Sequence, residues 1–379
     1  MKQKPCIIIV DNSLDYTGAL KAILTSSVAL SDSYEFVFVL PQKTKIAQVV
    51  RDREFRLHTM PFVELSKRPR DIFYYLPYLI RNAFELSRLI TLYSVRVVHV
   101  NDYYNLVGVV ARAIVPSIYL VTHIRKLPDS YPLLLSRFWL SLHSRFSDQI
   151  ICVSKAVKRQ LKDHCSSVLV YDGIQSTEKY PPRESMSPKL PEIKLLYLAH
   201  FIPGKGQDYA LEAFHRAYVE CKELRLRFMG GDLGLKKNKM FKELLEQRAT
   251  AWGISDVVNF DGIAYDVEKE IKEADVVLNF SESESFSFTC LEALYYGTPL
   301  IASNCGGPSE LFEDGKSGCL VPNRDIVAMA KAIIDFASDP RIMREYAKNG
   351  RDYIRKKFIF STFVMKINNV YKNELKTIA

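Results

Sequence analysis

The sequence lacks the features that most directly reveal a function. Its seven cysteines include no C-x-x-C pair and no group with metal-ligand spacing, and scattered cysteines of this kind are typical of reduced thiols in a cytosolic protein. No apolar run is long enough to span a bilayer, because the longest, residues 106–121, contains Arg112 and Pro116. Internal repeats are absent as well. We predict a cytoplasmic protein without a metal site, with a peripheral position on the inner face of the cell membrane as a further option.

An acidic excess is also missing, since the net charge is +9. Residues 1–180 hold 24 Lys and Arg against 15 Asp and Glu, whereas residues 181–379 hold 28 of each. A one-sided basic domain indicates a polyanionic partner, either nucleic acid or an anionic membrane. Because no nucleic-acid-binding motif accompanies the charge, we favour an anionic membrane surface and predict no nucleic-acid partner.

The length of 379 residues exceeds one typical core and fits two domains. Short apolar runs alternate with helical patterns in both halves, which predicts an α/β protein with two doubly wound parallel sheets. Residues 180–191 are rich in proline and charge and form the predicted linker. We therefore predict domains over residues 1–180 and 192–355 and a C-terminal helical segment over residues 356–379.

Residues 275–310 carry the strongest local signal. A buried parallel strand is predicted over residues 276–280, because its apolar residues follow one another without alternating. A polar loop and then a helix over residues 288–296 follow, and Gly297 ends the helix. Loops at the carboxyl ends of parallel strands are where open α/β sheets bind ligands. We therefore expect a binding site in this loop.

Two carboxylates, Glu284 in the loop and Glu292 in the helix, lie on either side of the predicted helix start. Ionised carboxylates are strong acceptors and suit the vicinal hydroxyls of a sugar or a ribose. Backbone amides at the start of the helix suit a phosphate, and the residues that would supply them are Phe286, Ser287, Phe288 and Thr289. The alternative interpretation of the two carboxylates is an acid at a helix start together with a solvated glutamate.

This stretch resembles the E-x7-E signature of the family 4 retaining glycosyltransferases, which use nucleotide sugars and have the GT-B fold. One departure from the family is that Ser285 and Ser287 stand where glycine is usual, and serine adopts a positive φ less easily. The matching residues are Ser281, Glu284, Phe286, Glu292, Ala293, Gly297, Thr298, Pro299, Gly306, Gly307 and Glu310.

The resemblance implies two Rossmann-like domains that face a central cleft. The first, over residues 1–180, would bind the acceptor, and the second, over residues 192–355, would bind the nucleotide sugar. A C-terminal helix over residues 356–379 would pack back on the first domain. It implies a nucleotide diphosphate sugar as donor and no obligatory metal or cofactor. Glu292 is implied to hold the ribose hydroxyls and Glu284 the hydroxyls of the donor sugar. Lys205 is implied to neutralise charge on the leaving diphosphate.

A second match lies after the first predicted strand of the second domain, where the family reads G-R-x-x-x-x-K-G. Lys205 and Gly206 fit this pattern, but His200 replaces the arginine that contacts the diphosphate. A neutral imidazole offers one donor where arginine offers a bidentate fork. Three possibilities therefore stay open: His200 binds as the imidazolium, Lys205 and backbone amides make most of the contact, or turnover is weak.

Four further positions match the family less specifically. Gly230 matches a glycine turn below the nucleotide, and Ile263 a backbone segment that touches the base, although the fold alone would also require turns there. Gly18, after the first strand, is implied to approach the diphosphate, with a plain helix start as the alternative. His123 matches a histidine near the reaction centre and is the third implied catalytic residue beside Glu284 and Lys205. We interpret the neighbouring His99 as a core residue.

Residues 67–88 combine arginines with aromatic residues. Such a combination is typical of a membrane-facing surface. The equally weighted alternative is a helix that packs its aromatic face into the core. The predicted surface comprises Arg68, Arg70, Arg81 and Arg88 with Phe73, Tyr74, Tyr75, Tyr78 and Phe84, together with Arg125, Lys126, Tyr131, Phe138 and Trp139.

The favoured hypothesis is a retaining glycosyltransferase that transfers a hexose to a hydroxyl of a glycan or lipid-linked glycan, in the synthesis of a cell-surface polysaccharide. One rival is another enzyme of the same fold, such as a nucleotide-sugar epimerase or a sugar phosphorylase. A rival from a different class is a catalytically silent relative that binds a membrane or a partner protein, which the replacement at His200 makes conceivable.

Overall fold

The computed structural model describes residues 4–63, 69–161, 166–175, 179 and 192–376. The chain forms two compact units: the first unit is Met1–Gly173 with Phe360–Ala379, and the second unit is Ile174–Ile359. The division after Gly173 lies ahead of the residue 180 that the sequence suggested. The predicted linker over residues 180–191 lies outside the described residues.

The first unit contains a seven-stranded sheet in which all neighbouring strands are parallel. Their order, β3-β2-β1-β4-β5-β6-β7, is that of a doubly wound fold. The central strands are buried and almost wholly apolar, as expected for strands covered on both faces. The strands are β1 (Cys6–Val10), β2 (Glu35–Pro41), β3 (Arg56–Met60), β4 (Val97–Val100), β5 (Tyr119–Ile124), β6 (Gln149–Cys152) and β7 (Ser167–Leu169).

Helices connect these strands, as parallel neighbours require. The helix after β3 is the longest of the described helices and contains Pro77. The helices of this part are α1 (Gly18–Ala29), α2 (Ala47–Arg51), α3 (Pro69–Leu92), α4 (Val107–Ile114), α5 (Leu133–Phe146) and α6 (Lys155–Gln160).

The second unit repeats the arrangement with a six-stranded parallel sheet in the order β10-β9-β8-β11-β12-β13. Its core lies between this sheet and the helices and includes Phe201, Phe214, Phe228 and Phe280. The strands are β8 (Ile193–Leu198), β9 (Leu224–Met229), β10 (Val258–Asp261), β11 (Val276–Asn279), β12 (Leu300–Ser303) and β13 (Cys319–Val321). The helices are α7 (Gln207–Glu220), α8 (Lys236–Ala251), α9 (Val267–Glu273), α10 (Phe288–Tyr296), α11 (Ile326–Ser338) and α12 (Pro340–Lys357).

The last helix, α13 (Phe360–Lys376), belongs to the first unit. Its Tyr371 is buried, with the hydroxyl 2.8 Å from Nδ1 of His99 on β4. Burial lowers the pKa of His99 to about 3, so the ring is neutral. His99 is therefore a core histidine with one hydrogen bond, as its sequence context suggested.

Among the described helices, none has the length and hydropathy to cross a membrane. Three elements, α2, α9 and β13, are too short for hydrophobic periodicity to predict them.

Candidate active site

The centre of the second-unit sheet provides a ligand crevice. Strands β8 and β11 are neighbours there, and the next strands, β9 and β12, lie on opposite sides of them. The connections therefore diverge and leave space beyond the carboxyl ends of β8 and β11, where open α/β sheets bind ligands. The loops over residues 199–206 and 280–287 border this space, so the sheet brings two predicted site residues, Lys205 and Glu284, together.

Lys205 and Glu284 form an ion pair, with 2.7 Å between Nζ and Oε1. The hydroxyl of Ser281 donates to the same carboxylate oxygen at 3.1 Å. The lysine side chain is 35% exposed and the glutamate side chain 15% exposed. Charge-assisted hydrogen bonds of this kind hold side chains in one geometry. The crevice therefore presents an oriented cation and an oriented carboxylate that a polar ligand can still reach.

The loop that carries Lys205 is held by hydrogen bonds of a buried tyrosine and by close packing at a glycine. The buried hydroxyl of Tyr197 donates to the carbonyl of Lys205 at 2.5 Å and accepts from the amide of Phe280 at 2.8 Å. Burial raises the pKa of this hydroxyl well above its usual value, so it remains protonated. At Gly206, where φ is +82°, a Cβ atom would lie 2.0 Å from the carbonyl oxygen of Phe280. Only glycine fits there.

Helix α10 begins beside Glu284. Ser287 is the N-cap, and its Oγ accepts a hydrogen bond from the amide of Cys290 at 3.3 Å. Phe288 and Thr289 form the first turn, where the amides of a helix attract anions. The ring of Phe286 is 3% exposed and packs on Phe358, with 5.9 Å between ring centroids. A ligand would therefore meet the backbone of Phe286 and not its ring.

Glu292 lies on the same helix and is 6% exposed, while its neighbours Leu291 and Ala293 are fully buried. A solvated glutamate is therefore the wrong interpretation of this position. An ionised carboxylate in such surroundings is costly unless it is hydrogen-bonded. Glu292 is thus a poorly solvated carboxylate on the helix that starts beside Glu284.

His200, Gly230 and Ile263 lie together at the ends of β8, β9 and β10. Nδ1 of His200 is 3.3 Å from the carbonyl oxygen of Gly231, so in the neutral ring this nitrogen carries the proton. A Cβ atom on Gly230 would lie 2.0 Å from the carbonyl of Ala199, and one on Gly231 would lie 3.0 Å from Cγ1 of Ile263. The structure therefore places these three predicted residues in one cluster.

Two predicted site residues belong to the first unit. Gly18 is the first residue of α1, after the N-cap Thr17, at the carboxyl end of β1. His123 lies on β5 and is fully buried, and burial together with the Arg125 cation lowers its pKa well below the usual value. Neither ring nitrogen of His123 has a hydrogen-bond partner among the described residues. His123 is thus a neutral imidazole beside His99, with 5.4 Å between ring centroids.

The predicted membrane surface is only partly exposed. Arg125 is buried and pairs with Asp172, with 2.5 Å between Nη1 and Oδ1, and it also donates from Nε to Asn101 at 3.0 Å. Trp139 is 3% exposed. Both residues were wrongly assigned to that surface, because Arg125 neutralises a buried carboxylate and Trp139 packs among other rings.

The outer face of α3, in contrast, is exposed. Its apolar residues recur at helical spacing, with Phe73 74%, Leu76 59%, Ile80 43% and Phe84 55% exposed. This set is called the α3 stripe below. The exposed Arg81 and Arg88 belong to the same helix. Core packing of this face, the alternative interpretation of the sequence, is therefore wrong for the stripe. Lys67 and Arg68 of the predicted surface lie outside the described residues.

Sequence reasoning missed Tyr197 and the role of Ser281. Ser281 was one of the motif matches, but its bond to Glu284 depends on how the loop folds. Tyr197 stands in an apolar strand and has the pattern of a core residue. In the part of the chain that the structure describes, no group of three or more His, Cys, Asp or Glu side chains could hold a metal ion.

Two parallel-sheet α/β units of this kind define a GT-B protein, and solved structures share the whole fold. HepE of Anabaena, solved in complex with UDP-glucose, has a TM-score of 0.81 at 19% identity, with 97% of this chain and 99% of that chain covered. Sucrose-phosphate synthase of Thermosynechococcus elongatus has a TM-score of 0.80 at 18% identity, with 99% and 100% covered.

Family models match both units. Residues 36–175 match the model described as Glycosyltransferase Family 4, and residues 183–353 match the model described as Glycosyl transferases group 1. Neither model covers half of the chain by itself, but together they extend over most of it, and both describe glycosyltransferases.

Curated relatives match a smaller part of the chain than these structures do, at higher sequence identity. An uncharacterised glycosyltransferase of Methanocaldococcus jannaschii is 23% identical, over 66% of this chain and 68% of that protein. The alpha-1,3/1,6-mannosyltransferase ALG2 of Dictyostelium discoideum is 32% identical, but over only 45% of this chain and 37% of its own length. A lipopolysaccharide core mannosyltransferase of Rhizobium leguminosarum is 28% identical over 36% of this chain and 38% of its own length.

Proposed function

We propose that the protein is a retaining glycosyltransferase that transfers a hexose from a nucleotide diphosphate sugar to a hydroxyl of a glycan or lipid-linked glycan. The observation that supports this proposal most is the ion pair of Lys205 and Glu284 in the crevice of the second-unit sheet, beside the N-terminus of α10. A diphosphate sugar needs a cation and helix amides for its phosphates and carboxylates for its hydroxyls. These loops and the start of α10 offer groups of all three kinds.

In this proposal the two carboxylates of the E-x7-E pair contact different parts of the donor. Glu292, buried on α10, accepts hydrogen bonds from the ribose hydroxyls, and Glu284 accepts them from the hydroxyls of the donor sugar. The backbone of residues 286–289 donates to the phosphates. Gly230 and Ile263 border the nucleoside, and Gly18 allows close approach of the diphosphate from the α1 turn.

The bond between the anomeric carbon and the diphosphate oxygen breaks, and a bond to the acceptor oxygen forms on the same face of the sugar. Negative charge then grows on the diphosphate, and the ammonium of Lys205 stabilises it. The released phosphate oxygen takes the proton of the acceptor hydroxyl, so no side chain is assigned as the base. His123, neutral and without a partner among the described residues, is proposed as a contact of the donor sugar near the anomeric carbon. No cofactor beyond the donor is required.

His200 assists this charge stabilisation only in one protonation state. Because its Nδ1 donates to the carbonyl of Gly231, the neutral ring leaves Nε2 as an acceptor, which repels a phosphate oxygen. The imidazolium donates from Nε2 instead. Lys205 and the α10 amides therefore make the main phosphate contacts, with His200 contributing when it is protonated.

The acceptor is proposed to be membrane-associated. The α3 stripe exposes four large apolar side chains, and the flanking Arg81 and Arg88 suit anionic headgroups. The basic excess of residues 1–180 adds long-range attraction to the same partner. A peripheral enzyme on the cytoplasmic face that extends a cell-surface polysaccharide fits these features.

Thermal unfolding in the presence of a panel of nucleotide sugars tests the proposal. We expect one donor to raise the melting temperature, because a ligand that binds the folded state stabilises it. In Glu292→Gln the rise should disappear or shrink by most of its value, since one ribose acceptor is lost. The matched control is Glu268→Gln, a carboxylate of the same unit that is 5% exposed and pairs with Lys272 at 2.8 Å.

Glu268→Gln is expected to lower the baseline melting temperature but to keep the donor-induced rise. Stabilisation by no donor would contradict the proposal and favour the silent relative that binds a membrane or partner. Full stabilisation of Glu292→Gln would contradict the assignment of Glu292.

A further inference from the structure

An amide side chain lies at the end of an otherwise apolar, buried strand. Strand β11 spans Val276–Asn279, and its first three residues are at most 1% exposed. Asn279 itself is only 3% exposed. Burying an amide costs free energy unless hydrogen bonds replace those that it made with water. The partners of this side chain therefore indicate its role.

Asn279 donates a hydrogen bond to the residue that starts helix α10. Its Nδ2 lies 3.2 Å from Oγ of Ser287, which is the N-cap of that helix. Its Oδ1 has no hydrogen-bond partner among the described residues. In the described part of the chain, Ser287 is thus the partner that offsets the burial of this amide.

The hydroxyl of Ser287 is fully used by its protein partners. A hydroxyl has one donor and two acceptor positions. Oγ of Ser287 accepts from Asn279 and from the amide of Cys290 at 3.3 Å, and it donates to Sγ of Cys290 at 3.1 Å. Burial raises the pKa of the Cys290 thiol, so the sulfur stays protonated and uncharged. A phosphate at this helix start would therefore meet backbone amides and not the Ser287 hydroxyl.

The orientation of those amides depends on the backbone of Ser287. Its φ is +79° and its ψ is 95°, a conformation that is unfavourable for a residue with a Cβ atom. A change of either angle would turn the peptide group that carries the N–H of Phe288. The hydrogen bond from Asn279 anchors the Ser287 side chain and thereby opposes such a change.

The first turn of α10 is also tied to the neighbouring strand. Oγ1 of Thr289 donates to the carbonyl of Leu198, the last residue of β8, at 3.3 Å. Strands β8 and β11 are neighbours, and both end at the crevice of the second-unit sheet. The helix start thus has one side-chain hydrogen bond to each of these two strands. Together the two bonds fix the direction in which the first amides of α10 point.

We propose that Asn279 is a positioning residue for the donor diphosphate. It holds Ser287 at positive φ, so that the amides of Phe288 and Thr289 face the phosphates. The inference rests on the proposed function and adds to it a residue that touches no ligand itself. Because Asn279 acts through Ser287, its effect should disappear when residue 287 needs no anchor. Glycine provides that case, since it adopts a positive φ without strain.

A double-mutant cycle of Asn279→Leu and Ser287→Gly tests this coupling. Leucine keeps the branched shape of asparagine but cannot donate a hydrogen bond. Isothermal titration of the wild type with UDP, GDP and ADP identifies the nucleotide that binds most tightly, and this nucleotide is then the probe for every variant. We expect Asn279→Leu to weaken its binding about five- to tenfold, the size expected for one lost hydrogen bond. When Ser287→Gly is also present, the same substitution should weaken binding by less than about twofold.

Two further variants separate positioning from stability. Gln149→Met removes another buried amide: Gln149 is 7% exposed at the start of β6, where Nε2 donates to the carbonyls of Ile150 and Ser166, each at 3.1 Å. This control should lower the melting temperature and leave nucleotide affinity unchanged. Asn279→Ala removes the amide without the apolar bulk of leucine and should repeat the result of Asn279→Leu in both backgrounds.

The outcomes distinguish this inference from the proposed function. If the Asn279 variants melt at a lower temperature but bind the nucleotide as the wild type does, Asn279 serves the fold alone and the inference is overturned. Equal losses of affinity with serine and with glycine at position 287 would overturn it as well, because Asn279 would not act through Ser287. In both cases binding to the wild type leaves the donor site in place. If none of the three nucleotides binds the wild type, the inference and the proposed function fail together.

Discussion

Ser287 starts helix α10 with a backbone conformation that serine rarely adopts, since φ is +79° and ψ is 95°. A positive φ costs a residue with a Cβ atom about 1–2 kcal/mol. Two hydrogen bonds of the same serine offset part of this strain energy: Oγ caps the helix, and it also accepts from Asn279 Nδ2 at 3.2 Å. Strain at the start of the proposed phosphate site is therefore offset by local hydrogen bonds.

Glycine and alanine at position 287 separate these two effects. We expect Ser287→Gly to change stability by less than about 1 kcal/mol, since the strain and the cap are lost together. Ser287→Ala keeps the strain and loses the cap, so it should be less stable than Ser287→Gly by about 1–2 kcal/mol. Thermal melting of both variants gives the order.

Ser154 supplies the control for this comparison. It caps α6 by accepting from Val157 N at 3.1 Å, but its φ is −151°, where alanine is unstrained. The difference in stability between the alanine and glycine variants should therefore be smaller at position 154 than at position 287. Equal differences at the two positions would show that Ser287 is not strained.

His200→Arg tests the replacement that most distinguishes this chain from the family. A guanidinium adds two charge-assisted donors, which we expect to tighten binding of the donor's nucleoside diphosphate about tenfold.

Isothermal titration of the wild type and the variant measures the effect. His215→Arg on α7 is the control for added charge alone and should not tighten binding. Equal affinity of His200→Arg and the wild type would show that position 200 does not contact the phosphates.

At the residue scale the sequence located the site better than it described the contacts. Lys205 and Glu284 were both predicted, from matches in two separate loops. Their direct ion pair, the support from Tyr197 and the burial of Arg125 could not be predicted, because each depends on residues far apart in sequence. The packing of the Phe286 ring on Phe358, at the C-terminal end of α12, could not be predicted for the same reason.

Helix α3 shows how one element serves two surfaces. Tyr75, Leu79 and Asn82 line a pocket of the first unit that Trp139 also borders, whereas the α3 stripe is exposed. Helical spacing places these two sets on opposite faces of the helix. A membrane that contacts the stripe would thus lie about one helix diameter, roughly 10 Å, from the pocket wall.

Phe84→Glu in the α3 stripe tests membrane contact. Burying an aromatic side chain in the membrane contributes about 1.5–3 kcal/mol to binding, and the glutamate loses this contribution. Binding to vesicles of phosphatidylglycerol and phosphatidylcholine should therefore weaken at least tenfold. Leu235→Glu, at a position that is 43% exposed in the second unit, is the control and should bind as the wild type does.

Vesicle co-sedimentation at low and high salt measures this binding. Salt should weaken it, because the arginines attract anionic headgroups. Equal binding of Phe84→Glu and the wild type would contradict the proposed membrane surface.

At the element scale, periodicity predicted long elements well and short ones poorly. Helix α10 spans Phe288–Tyr296 and β11 spans Val276–Asn279, where the sequence predicted a helix over residues 288–296 and a strand over residues 276–280. The C-terminal helical segment, predicted to begin at residue 356, begins four residues later, because α12 continues to Lys357 and α13 starts at Phe360. The break coincides with Phe358, which is buried, and with a bridge between Ile174 and Ile359. Long-range packing of this kind leaves no periodic signal.

At the scale of the whole molecule, the central claim is that a nucleotide diphosphate sugar binds at the centre of the second-unit sheet. The fold class followed from the alternation of strands and helices, because parallel sheets need such connections. Which loops bind the donor follows from where the strand order reverses, at β8 and β11.

Hydrogen–deuterium exchange with and without the stabilising nucleotide sugar tests this claim most directly. We predict that amides over residues 199–206, 229–232 and 281–292 become protected, since the donor contacts these loops and the start of α10. The segment over residues 236–251 on α8 serves as the internal reference and should not change. Protection confined to other segments, with these loops unchanged, would contradict the account.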